Sequence, residues 1–381
     1  MATSSGTWGY RDRFGDRFGR TYFRRFGPGV VSSVGAGTYL GDPTDAVDDR
    51  YREALSTALA NGVNLVDTAS NYRCGRSERV VGEALADSGV DRESVVVASK
   101  AGFLPFDGER PADPSRYVRE TFVDTGLVDP ADLANGSHTI APEFLDAMLD
   151  RSLEATGLET LDCYYVHNPE TQLAVRDRDA VYDRLEAAFE TLEARRAAGD
   201  VGVYGVASWE AFRVPADHDA HLDLAAVLAR AERAAETVGA GDRAGEDGDG
   251  GDGDGVAHGF RAVQLPFNVR MADAFTVAAH DADADDGPVS ALEFCHREGL
   301  SVFASASIGQ GELAREGAIP DDVAARLAGD TPAQRALNFA RSAPAVTAAL
   351  VGCGSVDHVR ENVAAGTFDP LGASAFDAVF E

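Results

Sequence analysis

The chain has 381 residues, 63 of them Asp or Glu against 34 Lys or Arg, for a formal net charge of −29. A surface of that sign repels phosphate backbones and anionic lipid, which argues against nucleic-acid and membrane partners. It also repels itself unless salt screens it, so the composition reads as that of a protein built for concentrated salt.

The basic residues sharpen this reading. All but one are arginine, and the single lysine is Lys100, where a chain of this length would carry on the order of twenty lysines. Hydrophobic residues make up 44% of the chain, enough for a large core, yet no run of eighteen apolar residues exists to span a bilayer. The cysteines, Cys74, Cys163, Cys295 and Cys353, form no CxxC pair and no His/Cys ligand spacing. The expectation is a protein of the reducing cytoplasm with neither a disulfide framework nor a metal site.

In chain order, the arginine-rich "RDRFGDRFGRTYFRRFG" has no apolar centre and does not read as a signal peptide. Residues 1–21 are expected to form an extension ahead of one folded unit, 22–381. Short runs rich in β-branched residues then alternate with helical patterns. The strand candidates are "VVSSVGAGT", "VNLVDT", "SVVVASK", "LDCYYVH", "VGVYGVAS", "RAVQLPFN", "LSVFASAS" and "VTAALVG". Leu145, Leu149 and Leu153 repeat at helical spacing. So do Val181, Leu185, Phe189 and Leu192, with Gly199 as a stop signal. The segment "GAGDRAGEDGDGGDGDG", residues 239–255, has nothing to bury and is expected to be a disordered acidic insertion. Eight strand–helix units predict an α/β fold, a closed (β/α)8 barrel of the TIM type, in which polar residues at the C-terminal strand ends are the catalytic candidates.

Asp67, Lys100 and His167 each end a predicted strand, and Tyr72 follows Asp67 by five residues. Singly, each has a dull explanation as a cap, a solvated cation, a hydrogen-bonded core group or a packing ring. Together they suit proton transfer to a carbonyl. A tyrosine with a pKa near 10 is a poor acid at neutral pH. An ammonium about 4 Å away, at an effective dielectric of about 20, is worth about 4 kcal/mol, or roughly three pKa units. Asp67 would neutralise the buried ammonium, and a neutral His167 would orient the substrate oxygen.

These residues stand in segments that resemble the aldo-keto reductase superfamily. "NGVNLVDTASNYRCGRSERVVGEAL" resembles its first signature, "VVVASK" its lysine strand and "SLEATGLETLDCYYVHNPE" its histidine signature; "YFRRFGPGVVSSVGAGTYLG" resembles its opening hairpin and first strand. The resemblance implies NAD or NADP bound across the barrel mouth and hydride transfer between it and an aldehyde or ketone, or the corresponding alcohol. Carried over position by position, it puts Thr38 and Tyr39 of the first strand end on the cofactor. Ser208 stands where the family has a carboxamide-binding asparagine, and Gln264 at the second carboxamide ligand. Ser305 replaces the tyrosine that many members stack on the nicotinamide, and Ile308, Gly309 and Gln310 fall in the loop that wraps the pyrophosphate. Glu361 and Asn362 match the adenine contacts. Gly352, Cys353 and His358 replace the Lys-Ser…Arg set that grips a 2′-phosphate, so no strong preference for NADP is expected. A nucleotide-bound regulatory subunit of the same fold, and Schiff-base chemistry at Lys100, are the competing readings. The connection 103–142 carries Phe103, Phe106, Tyr117 and Phe122, which either line a pocket or pack the loop.

Overall fold

The computed structural model describes residues 1–27, 29–243, 258–282 and 287–380. Its centre is a closed barrel of eight parallel strands: β3 (Val34–Gly37), β4 (Leu65–Asp67), β5 (Val96–Ala101), β6 (Leu161–His167), β7 (Val201–Ala207), β8 (Phe260–Pro266), β11 (Ser301–Ser305) and β12 (Val346–Gly352). Strand β12 pairs with β3 to complete the ring, Gly352 opposite Gly37. The α/β barrel expected from the sequence is therefore the fold.

The period of two along each strand decides what the barrel encloses. Leu65, Val96, Ala98, Cys163, Tyr165, Ala262, Phe303, Ala348 and Leu350 belong to one cluster that fills the barrel. Their neighbours Val66, Val97, Tyr164, Val263 and Ala349 belong to the larger core against the helices. Glycine is required where the filling is tightest: a Cβ on Gly35 would lie 2.6 Å from the Leu350 side chain, and one on Gly205 would lie 1.8 Å from the Ala262 carbonyl oxygen. Two steps beyond Leu65, Ala98 and Tyr165 come Asp67, Lys100 and His167. Register and pleat together bring these three to the last inward layer.

The opposite end of the barrel is closed by an antiparallel hairpin, β1 (Phe23–Phe26) with β2 (Gly29–Ser32). Phe26 meets the barrel-filling Phe303 edge-on at 5.1 Å. The run expected as one strand from Val30 to Thr38 is thus two, broken at Ser33, where hairpin gives way to barrel. Residues ahead of the hairpin form a helix, Ser4–Asp12, tied to the barrel through Tyr10, whose hydroxyl donates to the Leu59 carbonyl at 2.5 Å.

The helix readings hold in detail. Val181, Leu185, Phe189 and Leu192 are buried in the helix Arg178–Ala198, which ends on Gly199 in the left-handed conformation (φ 91°). Of the acidic segment 239–255, residues 239–243 continue the helix Leu224–Arg243, and the remainder lies outside the described residues. A two-stranded ribbon, β9 (Ala278–His280) with β10 (Val289–Ser290), follows β8. The four cysteines are free thiols. No helix among the described residues is long and apolar enough to cross a membrane.

Candidate active site

At the C-terminal end of the barrel, Lys100 is wholly buried and its Nζ donates to Asp67 Oδ1 at 2.7 Å and to the Thr68 carbonyl at 2.6 Å. The second carboxylate oxygen of Asp67 accepts from Gln264 Nε2 at 2.8 Å. The same ammonium stands 4.8 Å from the centre of the Tyr72 ring. Burial opposes the charge on Lys100, but Asp67 and Tyr72 outweigh it and hold the pKa above its ordinary value, so the ammonium persists.

Tyr72 does not follow the simple Coulomb expectation. Burial raises its pKa more than Lys100 lowers it, and the net direction is upward. The physical reason is that the phenolate would lose its hydration in this closed site, a cost one ammonium facing the ring does not cover. The phenol is therefore held firmly protonated.

The loop carrying Tyr72 is anchored from the side. Arg73 and Cys74 adopt left-handed backbone conformations (φ 50° and 58°), unusual outside glycine. Arg73 pairs with the buried Asp48 and lies over the Tyr51 ring, while its Nη2 donates to the Asp42 carbonyl at 3.1 Å. Arg76 and Arg79 converge on the same Asp48 carboxylate.

His167 faces Tyr72, with ring centres 6.0 Å apart. Burial, Lys100 and His138 push its pKa well below the usual range, so the ring is neutral, and its Nδ1 is buried without a hydrogen-bond partner. Phe103 packs edge-on against both His167 and His138. Beyond it, Phe106 and Tyr117 pack on one another and Tyr117 on the buried Phe122. Of the four aromatic residues in the 103–142 connection, only Phe103 borders the cavity described next.

A cavity of about 700 Å³ opens over these groups. Asp67, Tyr72 and His167 border it, with Lys100 beneath. Among the positions that the family resemblance marks for a cofactor, Thr38, Tyr39, Ser208, Gln264, Ser305, Ile308, Gln310, Gly352 and His358 line it. Gly309, Cys353, Glu361 and Asn362 do not. Cys353 is buried, Asn362 Nδ2 donates to the Gly352 carbonyl at 3.3 Å, and Glu361 accepts from Thr331 at 2.6 Å.

Ser208 is committed elsewhere. Its hydroxyl donates to Glu170 Oε1 at 3.0 Å and accepts from Ala211 N at 2.9 Å. The same Glu170 oxygen takes the backbone N–H groups of Trp209 and Glu210.

Several residues of this site were not singled out from sequence. Arg50 is the one Lys or Arg among the described residues lining the cavity, which Gly352, Gly354 and His358 also line, and its chain neighbour Tyr51 lies beside Gly354. Arg50 sits on the helix Asp45–Ala60, between the quoted segments that end at Gly41 and begin at Asn61. His138 and Glu170 carried no spacing signal, although Glu170 lies in the quoted "HNPE". Asn71, whose Oδ1 is buried without a partner, also lines the cavity.

Among solved structures, an aldo/keto reductase from Klebsiella pneumoniae in complex with NADP and acetate matches with a TM-score of 0.55 at 20% identity, covering 94% of each chain. An aldo-keto reductase from Bacillus halodurans matches with a TM-score of 0.60 at 17% identity, covering 94% of this chain and 95% of the other. Among curated proteins, D-threo-aldose 1-dehydrogenase of a Pseudomonas species is 32% identical over 184 residues, 48% of this chain and 51% of that protein. An uncharacterized oxidoreductase of Mycobacterium tuberculosis is 48% identical over 80 residues, 19% of this chain and 24% of that protein. The chain thus spans about a quarter to a half of the length of these curated relatives. The model of the Aldo/keto reductase family matches residues 33–227, just over half of the chain and the part that carries Asp67, Tyr72, Lys100 and His167. On that match, joined to a closed eight-stranded barrel, the chain belongs to the aldo/keto reductase family.

Proposed function

We propose that the protein is an NAD(P)H-dependent oxidoreductase that interconverts an aldehyde or ketone and its alcohol, with Tyr72 as general acid and base. The observation that carries this reading is the convergence of Lys100, Asp67, Tyr72 and His167 beneath one cavity.

The residues present fit a nicotinamide dinucleotide. The cavity runs from Ser208 and Gln264 past Ser305, Ile308 and Gln310 to Gly352, His358 and Arg50. Asn71 Oδ1 and His167 Nδ1 are buried polar atoms still lacking partners at its wall. A dinucleotide held along this wall would supply the hydride chemistry of carbonyl–alcohol interconversion. Tyr72 gives its hydroxyl proton to the carbonyl oxygen as charge develops there. Lys100 stays charged and stabilises the resulting phenolate, and Asp67 holds the ammonium in place from behind. Neutral His167 orients the carbonyl oxygen toward Tyr72, while Phe103, Tyr39 and Trp209 exclude water.

For the cofactor, we infer dual use. The family's 2′-phosphate set is missing its cations here, yet Arg50 lines the same cavity from the helix Asp45–Ala60. We also propose that the acidic, lysine-poor surface is an adaptation to concentrated salt and that the enzyme works in the cytoplasm, where its free thiols stay reduced.

The test is turnover of NADH and NADPH at high salt over aldoses, aryl aldehydes, pyridoxal and short ketones. Carbonyl-dependent cofactor oxidation is expected. Tight nucleotide binding without turnover on any of them would instead support the regulatory-subunit reading.

A further inference from the structure

Away from the catalytic cavity, three side chains from two loops meet on the same end of the barrel. His221 and Asp223 end the loop after β7, and His280 ends β9 in the segment after β8. One ligand atom from each lies within 4.8 Å of the others. We propose that His221, Asp223 and His280 bind one divalent transition-metal ion of the zinc class, which clamps the loop after β7 to the segment after β8.

The donor set suits such an ion, since imidazole nitrogen and carboxylate oxygen are both zinc ligands. Three protein ligands leave a fourth position for water. With metal–ligand bonds of about 2.0–2.1 Å, tetrahedral donors stand roughly 3.3 Å apart, so the cluster needs to contract by about 1.5 Å or less.

Each residue is prepared for the role by its surroundings. His280 Nε2 lies 3.1 Å from the Phe212 carbonyl and donates there, which fixes the tautomer and leaves Nδ1 unprotonated. That Nδ1 lies 3.8 Å from Asp223 Oδ2 and accepts from Leu224 N–H at 3.2 Å, a bond that the metal would displace. Asp223 accepts one backbone N–H on each oxygen, from Ala226 at 2.9 Å and Asp281 at 2.8 Å. A carboxylate has about four lone-pair sites, so two remain.

His221 supplies the observation that capping alone does not explain. It is 4% exposed, its ring centre lies 5.4 Å from that of His280, and its Nδ1 is buried without a partner. A buried acceptor left unpaired costs stability, and a metal ion would satisfy it. Arg178 is a cation facing this ring. Arg178 also opposes a dication, and the Asp223 carboxylate is the charge that offsets it. The consequence would be local order at the mouth, because the clamped loop carries Ser208 and Trp209 into the catalytic cavity.

The test uses the full chain stripped with EDTA and titrated with ZnCl2 by calorimetry in concentrated KCl, which suppresses diffuse binding to the acidic surface. One equivalent should bind and raise Tm. His221→Ala and Asp223→Asn should each weaken binding by about 100-fold, at least as much as losing an outer-sphere partner costs. Asp223→Asn keeps an oxygen for Ala226, so it reads the site even where His221→Ala fails to fold. Co2+ loading of the unaltered protein should shift the ring-proton NMR signals of two histidines. Absence of stoichiometric zinc binding, zinc binding unchanged in the variants, or histidine signals unmoved by Co2+ would overturn the proposal.

Discussion

The ring of His138 holds the main chain of His167: Nε2 lies 2.8 Å from the His167 carbonyl oxygen, while Nδ1 faces Gln172 Nε2 at 3.0 Å. The amide can only donate to Nδ1, so Nε2 carries the proton and donates to His167. Gly102 is wedged beside this bond, where a Cβ would lie 2.3 Å from the His167 oxygen and 2.9 Å from His138 Nε2. A histidine in the long 103–142 connection therefore positions a histidine at the end of β6.

That bond has a pH signature. Burial lowers the His138 pKa from 6.5 to about 4. The unfolded chain binds this proton first, so the contribution to stability is complete above pH 6.5 and is lost as pH falls toward 4. At 1.36 kcal/mol per unit the loss is roughly 3 kcal/mol. Urea denaturation at pH 7 and pH 4.5 should show that His138→Gln loses less stability over this interval than the parent. Equal losses would mean that His138 does not titrate in this way.

Tyr72→Phe removes the hydroxyl that the proposed mechanism uses as proton donor, and little else. It should bind NADH and NADPH like the parent but reduce carbonyls at least about 100-fold more slowly, the lower end of what general acid catalysis contributes. Single-turnover kinetics with a saturating carbonyl would check this. Activity within tenfold of the parent would remove Tyr72 from the chemistry.

The barrel and the four converging residues were legible because each rests on a local pattern, whereas the hairpin came only from the family resemblance. β-branched runs marked the strands that end in Asp67, Lys100 and His167, and strand ends are where such a barrel carries its chemistry. What was not legible depends on contacts between distant segments. Arg50 occupies an exposed position on a helix and gains meaning only because the fold makes it line the same cavity as Gly352 and His358. Ser208 reads as a cofactor ligand by position, yet Glu170, 38 residues earlier in the chain, engages its hydroxyl. The direction of the Tyr72 shift was misjudged because the Coulomb estimate omitted burial, which no sequence pattern reports.

The pH–rate profile follows from these directions. In the proposed mechanism, reduction needs Tyr72 protonated and His167 neutral. The first condition fails only above the raised tyrosine pKa, and the second only well below the usual histidine range. The kcat/KM for reduction should therefore be flat between about pH 6 and 9, outside the ordinary range of either group. A titration with a midpoint near pH 6.5 would contradict the neutral buried His167.

Arg50→Ala should weaken NADP binding by about fivefold, in keeping with an exposed charge pair, and leave NAD binding within about twofold. Fluorescence titration of both cofactors measures this. An equal loss for the two would place Arg50 on the pyrophosphate instead, and no loss for either would remove it from the cofactor site.

If the one lysine in the chain is retained for chemistry, Lys100→Arg should fold but fail to turn over. On an exposed surface arginine replaces lysine readily. Here the ammonium is enclosed between Asp67 Oδ1, the Thr68 carbonyl and the Tyr72 ring. A planar guanidinium spreads its charge over three nitrogens and cannot take the place of a compact point charge. It would still pair with Asp67, so it should destabilise the fold much less than Lys100→Met, which strands a buried carboxylate at a cost of about 3–5 kcal/mol. The decisive measurement is kcat/KM for carbonyl reduction by the arginine variant, alongside its Tm, in concentrated salt. The prediction is a Tm close to the parent's with at least about 100-fold lower kcat/KM, a loss of about 2.7 kcal/mol in transition-state stabilisation. Near-parental kcat/KM would contradict it and make the lone lysine an accident of composition.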